Sequence, residues 1–307
     1  MSPVFQREPS TTSARAAALG YGAVAAAAGL WAVAAVVARR LFDDGVGAVE
    51  LTESRAMLAA VGFALFPASW HRPAAAGRRL VVALGVALAL VNSTYYIAVS
   101  RIPVAVALVI QYTAPALIVG WTSLRSRRPP SREVASALVA ALIGVVLVVD
   151  LPGSIAGRVD GIGVALAVAS AFFFASYTVL AERTGAVYGS SGAMFRGFLV
   201  AALLWTIYQA PRGVPSELFE PANVPEVLYV GLAGTLLPFL LFAWGLRRVP
   251  AERASIVATL EPVIAALVAW AWLGQDLAPV QIGGGLLVVV AAVSLQLRRR
   301  RPILAPE

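Results

Sequence analysis

An acidic residue and a proline lie side by side inside an apolar run near the end of the chain. Glu261 and Pro262 belong to the stretch ASIVATLEPVIAALVAWAWLG, residues 254–274, which is otherwise typical of a membrane-spanning helix. A carboxylate at the centre of such a helix costs about 2.5–3.5 kcal/mol, so we expect it to face the protein interior and to have a partner. Three roles are open: binding a cationic or amino group, exchanging a proton because burial disfavours a charged carboxylate, or forming a salt bridge that fixes the helix. We expect Arg196 to be the partner in the resting state.

Two prolines are expected to kink apolar helices. A proline inside a helix has no N–H and leaves the carbonyl group four residues earlier without its helical donor. Pro115 would free the carbonyl of Gln111, and Pro262 would free that of Ala258. In lipid, such a carbonyl is tolerated only against protein, polar side chains or a watery cavity. The two kinks are therefore candidate cavity walls, the alternative being kinks that a neighbouring helix fills.

Polar and aromatic side chains inside other apolar runs extend the set of candidates. Asn92 and Tyr96 are four residues apart and share one face of a helix. An amphipathic, aromatic lining would suit amino acids or small aromatic compounds. Such residues also form ordinary interhelical hydrogen bonds and interface belts. The predicted cavity-lining residues are Glu261, Arg196, Trp31, Asn92, Tyr96, Gln111, Tyr112, Tyr177 and Trp244.

The elements that must position these residues are membrane-spanning helices. With 60% hydrophobic and 13% charged residues, the chain has too little polar surface for a soluble globule. A helix needs about 20 apolar residues to cross the hydrocarbon core. The sequence therefore predicts an all-α integral membrane protein with ten transmembrane helices. The spans are expected within 16–38, 51–70, 80–100, 102–124, 134–149, 161–181, 193–211, 227–246, 254–274 and 277–297.

The arginines set the expected orientation. All 24 basic residues are arginines; with the N-terminus in the cytoplasm, 17 lie inside, five lie outside, and Arg55 and Arg196 lie within spans. By the positive-inside rule, this asymmetry places both termini in the cytoplasm, in an inner cell membrane. The net charge of +8 is thereby explained without a nucleic-acid partner. The arginines at 298–301 are expected to contact anionic lipid headgroups.

An internal repeat divides the chain into two halves. The stretch SRIPVAVALVIQYTAPALIVGW at 100–121 matches RRVPAERASIVATLEPVIAALV at 247–268 with a shift of 147 residues, which places Pro103 on Pro250 and Pro115 on Pro262. We predict two five-helix repeats, residues 16–156 and 157–297, between an N-terminal tail of 1–15 and a C-terminal tail of 298–307. Because five is odd, the second repeat would be inverted in the membrane, an arrangement that recurs in transporters.

These motifs resemble the EamA branch of the drug/metabolite transporter superfamily. The resemblance is carried by IPVAVALVIQYTAP and ALIGVVLVV in the first half and by GLRRVPAERASIVATLEPVIAALVAWAWLGQDL in the second. Leu273, Gly274 and Asp276 match the family's usual ending, whereas Gln275 stands where glutamate is commoner. The resemblance implies two five-helix repeats, cytoplasmic termini, a central cavity and, for many members, export of small metabolites.

The expected function is that of a secondary transporter. It would export a small metabolite or amino-acid-like compound by alternating access, coupled to protons because the chain contains no nucleotide-binding motif. The expected partners are a small molecule, membrane lipid and protons, with no cofactor or metal; the oligomeric state stays open. Alternatives are a nucleotide-sugar or drug transporter of the same fold, a passive channel, or an intramembrane enzyme based on the serines of GSSG at 189–192. Because a serine nucleophile needs a base and no catalytic motif surrounds the single histidine, His71, we expect no enzyme.

Overall fold

The computed structural model describes residues 11–70, 77–102, 104–149, 160–213, 215–273 and 277–297. Every regular element in these ranges is helical. The α-helices are α1 Thr11–Asp43, α2 Ala48–Ala64, α3 Arg78–Arg101, α4 Val104–Gln111, α5 Ala114–Ser126, α6 Arg132–Val148, α7 Gly161–Gln209, α8 Val224–Gly231, α9 Leu237–Leu246, α10 Ala251–Ala258, α11 Leu260–Leu273 and α12 Pro279–Leu297. A π-helical turn, Leu232–Leu236, joins α8 to α9. Short 3₁₀ helices occupy Pro67–Trp70, Ala210–Arg212 and Ser216–Phe219.

Five segments are long and apolar enough to cross a membrane: Arg15–Asp43, Arg78–Arg101, Val106–Ser126, Gly161–Arg212 and Val224–Leu246. Each of the ten predicted spans falls on helix in the described part of the chain. The all-helical prediction is therefore confirmed, whereas the number ten stays a prediction. The outer parts of both tails, the junction 150–159, His71, Pro103 and the sequence from Gly274 to Asp276 lie outside the described residues.

Helix α7 is a hairpin of two helices that reverses at Gly189. This glycine has φ 74° and ψ 170°, a left-handed conformation that interrupts the helix. Gly163 lies against Ile102 at the end of α3, whereas Gly197 lies against Leu84 near its start. Leu84 and Ile102, the residue that follows α3, are 102 − 84 = 18 residues apart, about 27 Å at about 1.5 Å per residue. A chain that runs 26 residues out to Gly189 and eight back covers the same net distance, about 39 − 12 = 27 Å.

The broken helices repeat the 147-residue shift found in the sequence. Helix α4 covers 104–111, and adding 147 gives 251–258, which are the bounds of α10. The following helices begin at Ala114 and Leu260, just before Pro115 and Pro262 respectively. Both predicted proline positions therefore coincide with breaks between two short helices. Each break leaves a helix terminus inside the bundle.

Helices α6 and α12 pack antiparallel in very close contact. A Cβ atom placed on Gly144 would lie 2.7 Å from the carbonyl oxygen of Gly284, and one placed on Gly284 would lie 2.8 Å from that of Gly144. The side-chain amide of Gln281, in the first turn of α12, donates to the carbonyl of Val148 at the end of α6 at 3.0 Å. Small residues at the contact let the two backbones approach each other.

The bundle has two ends, which we name after Asp160 and Gly189. At the first end, the carboxylate of Asp160 caps α7 by accepting a hydrogen bond from the N–H of Ile162 at 2.9 Å. The same carboxylate forms an ion pair with Arg101 at 3.0 Å. The hydrogen bond from Arg101 and the backbone donors hold the pKa of Asp160 below its usual value. At the Gly189 end, Glu182 accepts a hydrogen bond from the N–H of Ala251 at the start of α10, at 3.2 Å.

Candidate functional site

A cavity with about 500 Å³ of empty space, including its mouth, lies between α1, α2, α3, α4, α7, α9 and α11. Its walls mix aromatic, aliphatic and charged side chains. They are Trp31, Ala34, Ala35, Arg55, Val91, Asn92, Tyr95, Tyr96, Gln111, Phe174, Tyr177, Phe239 and Glu261.

The cavity extends from the middle of the bundle toward the Asp160 end. Arg55 is seven residues from the start of α2 and Tyr96 is five from the end of α3, so both lie within about 10 Å of that end of their helices. Glu261 is ten residues from the start of α10, about 15 Å from the Gly189 end. The deepest cavity residues therefore lie near the middle of the bundle.

Aromatic rings close the cavity from below, on the side of the Gly189 end. The ring of Phe239 lies 5.2 Å from Trp31, 5.4 Å from Tyr177 and 5.1 Å from Phe198. Phe198 in turn stacks on Phe63 at 5.8 Å. Edge and offset contacts of this kind add to the stability that burial of the rings provides. The packed rings form an apolar floor between the charged part of the cavity and the Gly189 end.

Glu261 is held by a tyrosine from the other broken helix. Its carboxylate lies in the first turn of α11, is 7% exposed, and accepts a hydrogen bond from the hydroxyl of Tyr112 at 2.5 Å. Tyr112 lies in the break between α4 and α5, at the position that the shift of 147 places on Thr259. The start of a helix also favours a negative charge. The two broken helices thus meet at the only acidic side chain that lines the described cavity.

Arg55, from α2, supplies a buried positive charge to the cavity wall. The side chain is 4% exposed. Its Nε donates to the hydroxyl of Thr235 at 2.7 Å and its Nη2 to the carbonyl of Gly234 at 3.2 Å. The guanidinium carbon lies 4.7 Å from the centre of the Tyr96 ring. The π-helical turn and one aromatic ring therefore fix the guanidinium against the cavity.

The two cavity charges are not paired with each other. Within the described part of the chain, no ion pair within 4 Å joins Arg55 to Glu261 or to any other carboxylate. The hydroxyl groups of Tyr95 and Tyr177, which also line the cavity, are buried and have no hydrogen-bond partner among the described residues. Buried polar groups in proteins are nearly always paired. The cavity thus presents a cation, an anion and two unpaired hydroxyls to whatever occupies it.

Six of the nine predicted cavity residues lie in the cavity wall: Glu261, Trp31, Asn92, Tyr96, Gln111 and Tyr177. Tyr112 lies behind Glu261 rather than in the wall. Trp244 lies elsewhere, with the guanidinium of Arg248 at 3.3 Å from its ring centre. Their role in substrate binding stays a prediction.

The predicted pairing of Arg196 with Glu261 is wrong. The Nη1 atom of Arg196 donates to the carbonyls of Ser69 at 2.8 Å and Gly192 at 3.0 Å, and the guanidinium carbon lies 4.5 Å from the ring centre of Tyr188. Arg196 lies seven residues after the turn at Gly189 and therefore stays near that end of the bundle. There it binds backbone carbonyls beside the turn, and within the described part of the chain no ion pair joins it to Glu261.

The predicted cavity-lining set left out four residues of the wall that carry polar or aromatic groups: Arg55, Tyr95, Phe174 and Phe239. Arg55 had a signal, because an arginine inside an apolar span is expensive and marks a functional position. Phe174 and Phe239 had none, since a phenylalanine in an apolar helix faces lipid, core or cavity with the same sequence pattern. Assigning these two residues to the cavity wall requires the orientation of each helix about its own axis, which the structure supplies.

Comparison with known proteins assigns the chain to a family. The model of the EamA-like transporter family matches the chain twice, over residues 18–150 and 161–296. The chain belongs to the EamA-like transporter family. The resemblance seen in the sequence is thereby confirmed, and this EamA protein is a membrane transporter.

Relatives of this EamA chain are also named as transporters. It is 28% identical to the threonine/homoserine exporter RhtA of Escherichia coli K12, over 87% of this chain and 88% of that protein. It is 30% identical to the transporter YwfM of Bacillus subtilis over 69% of this chain and 73% of that one. A solved crystal structure with 18% identity superimposes with a TM-score of 0.75 and covers 94% of this chain and 99% of its own. That likeness supports the fold alone.

Proposed function

We propose that this protein is a proton-coupled secondary transporter that exports a small amino-acid-like compound. It would cross an inner membrane ten times, as two inverted five-helix repeats with both termini in the cytoplasm. The observation that carries the proposal is a cavity whose walls carry one carboxylate, Glu261, and one cation, Arg55, that has no ion-pair partner among the described residues. An amino acid carries the complementary pair of charges, a carboxylate and an ammonium group.

Glu261 is the proposed site of both amine binding and proton exchange. A substrate ammonium group and a proton would compete for the same carboxylate, so binding one releases the other. Such competition couples the movement of the two in opposite directions. The hydroxyl of Tyr112 stabilises the charged form while neither is bound. Relatedness to RhtA, which is named a threonine/homoserine exporter, makes L-threonine the first substrate to test.

Alternating access would come from movement of the two repeats around the cavity. With the termini in the cytoplasm, the Asp160 end would face away from the cytoplasm, and a cavity that extends toward that end would belong to an outward-facing state. The aromatic floor around Phe239 would then be the closed inner gate. Opening to the cytoplasm would separate these rings while the Asp160 end closes.

The experiment that tests this function is L-threonine efflux from proteoliposomes with a pH gradient, acid outside. Proton entry should drive efflux by the wild type. Glu261→Gln keeps the size and polarity of the side chain but cannot exchange a proton. It should lose at least about 90% of the stimulation by the gradient, because the step that would couple efflux to proton entry is removed.

Glu182→Gln is the matched control. Glu182 is a partly buried glutamate at the Gly189 end whose oxygen accepts the N–H of Ala251, and a glutamine oxygen can accept the same bond. This variant should keep its response to the gradient. Full stimulation of Glu261→Gln at every pH would remove the proton step, and absence of efflux by the wild type would remove the amino-acid substrate.

A further inference from the structure

The π-helical turn between α8 and α9 prepares a carbonyl group for Arg55. Pro238 lies in the first turn of α9 and has no N–H to donate to the carbonyl of Gly234, four residues earlier. The Nη2 atom of Arg55 donates to that carbonyl instead, at 3.2 Å. Gly234 also allows the close approach of α1, because a Cβ atom there would lie 2.5 Å from that of Ala34, another residue of the cavity wall.

Thr235 fixes the direction of the guanidinium. Its hydroxyl donates to the carbonyl of Val230, five residues earlier, at 2.7 Å. The hydroxyl proton is thereby used, so a lone pair of the oxygen faces the Nε of Arg55, which donates to it at 2.7 Å. Thr235 is fully buried, with 0% of its surface exposed. It does not line the cavity, and Arg55 is the wall residue to which its side chain is hydrogen-bonded.

Part of the Arg55 guanidinium remains available for a ligand. An arginine has five N–H groups, of which Nε and one on Nη2 are bound to the turn. No described residue accepts a hydrogen bond from the other three. A buried cation without an anion is costly, and the planar fork of arginine matches a carboxylate in a two-bonded geometry. The free edge of the guanidinium is therefore suited to a carboxylate that enters the cavity.

We propose that Arg55 binds the carboxylate of the substrate and that Thr235 is the positioning residue that sets its guanidinium. This inference rests on the proposed transport function and adds to it the class of substrate that the cavity selects. Molecules with a carboxylate would be selected on the Arg55 wall. An amine without a carboxylate would leave the cation unpaired and would bind weakly.

Three related probes test the carboxylate and the ammonium group of the substrate separately. L-Threonine carries both groups. Isopropanolamine is threonine without its carboxylate, and β-hydroxybutyrate is threonine without its amine. Their dissociation constants are measured by titration of the purified full-length protein. The wild type should bind both carboxylates better than isopropanolamine. Thr235→Val removes the hydroxyl at nearly constant shape. It should raise the dissociation constants of L-threonine and β-hydroxybutyrate about tenfold, the effect of losing one hydrogen bond to a charged group. The dissociation constant of isopropanolamine should change less than about twofold.

Two further variants distinguish positioning from folding. Thr235→Ser restores the hydroxyl and should bind the carboxylates within about twofold of the wild type. Thr178→Val removes another fully buried threonine hydroxyl, which donates to its own helix at Phe174, and should leave all three affinities unchanged. Equal loss for all three probes in Thr235→Val, or no loss, would overturn the inference.

The two proposals fail in different ways. Efflux of L-threonine by the wild type is measured first, and its absence removes the proposed function together with the carboxylate site that depends on it. If efflux is present and the wild type binds isopropanolamine as tightly as L-threonine, only the role of Arg55 fails. Arg55→Lys keeps the charge without the fork and should show the same selective loss of carboxylate binding as Thr235→Val.

Discussion

At the scale of single residues, the cavity depends on side chains that are held by partners from other helices. Glu261 is held by Tyr112 at 2.5 Å, and Arg55 is held by Thr235 at 2.7 Å. Neither charge is neutralised by the residue that orients it. Because hydroxyl groups orient a charge without cancelling it, both charges stay available to a substrate. Direct pairing of Arg55 with Glu261 would have closed the site.

Tyr112→Phe should destabilise the protein because it removes the hydrogen bond to the buried carboxylate of Glu261. Such bonds contribute about 1 kcal/mol, with smaller averages for polar contacts in membrane proteins. Tyr95→Phe is the matched control, because the Tyr95 hydroxyl is buried without a partner among the described residues. Thermal unfolding in detergent should show a lower midpoint for Tyr112→Phe and almost no change for Tyr95→Phe. Equal midpoints would mean that the bond to Glu261 adds nothing to stability.

The sequence predicted these residues to different extents. An ionised or amide side chain inside an apolar run carries its own signal, because lipid excludes it; Glu261 and Gln111 were found in this way and line the cavity. The hydrogen-bond partner of Glu261, by contrast, could not be predicted from the sequence. Arg196 has the charge to pair with Glu261, but the distance between them depends on where the hairpin turns, and the conformation of Gly189 sets that turn.

At the scale of elements, breaks inside helices position the site. The α4–α5 and α10–α11 breaks place Tyr112 and Glu261 near the middle of the bundle, and the π-helical turn after α8 holds Arg55. Backbone groups released at such breaks are tolerated because they face protein or a cavity rather than lipid. The proline breaks were predictable from sequence since proline has no N–H. The π-helical turn was not, because its proline follows the turn and the pattern fits an ordinary helix.

Gly284→Ala should separate α6 from α12. A Cβ atom at Gly284 would lie 2.7 Å from the backbone N of Val148 and 2.8 Å from the carbonyl oxygen of Gly144. Backbone atoms cannot move aside as the end of a side chain can, so we expect a loss of about 1–3 kcal/mol of stability. Gly283→Ala adds the same methyl group one residue earlier, where nothing lies within 4 Å, and should change stability by less than about 0.5 kcal/mol. Thermal unfolding of the two variants should differ clearly; similar midpoints would contradict the close packing.

At the scale of the whole molecule, the shift of 147 residues relates the two halves. It was visible in the sequence as two prolines in constant register, and the bounds of α4 and α10 repeat it. The cavity itself is not symmetric. Its carboxylate, Glu261, corresponds to Ala114 in the first half, and the arginine of the described wall, Arg55, comes from the first half. Under the proposed alternating access, such a scaffold would give two similar gates, one at each end, around a single site whose charges are not symmetric.

Cysteine labelling tests the inverted arrangement in the membrane, and the chain contains no native cysteine that would interfere. Ser131 and Ala278 are exposed and differ by 147 residues, so they occupy equivalent positions at the starts of α6 and α12. Inverted repeats must place them on opposite sides. With cytoplasmic termini, an impermeant maleimide added to intact cells should label Ala278→Cys and should reach Ser131→Cys only after the cells are opened. Labelling of both from the same side would contradict the inversion, whereas the reverse pattern would preserve it and overturn the orientation.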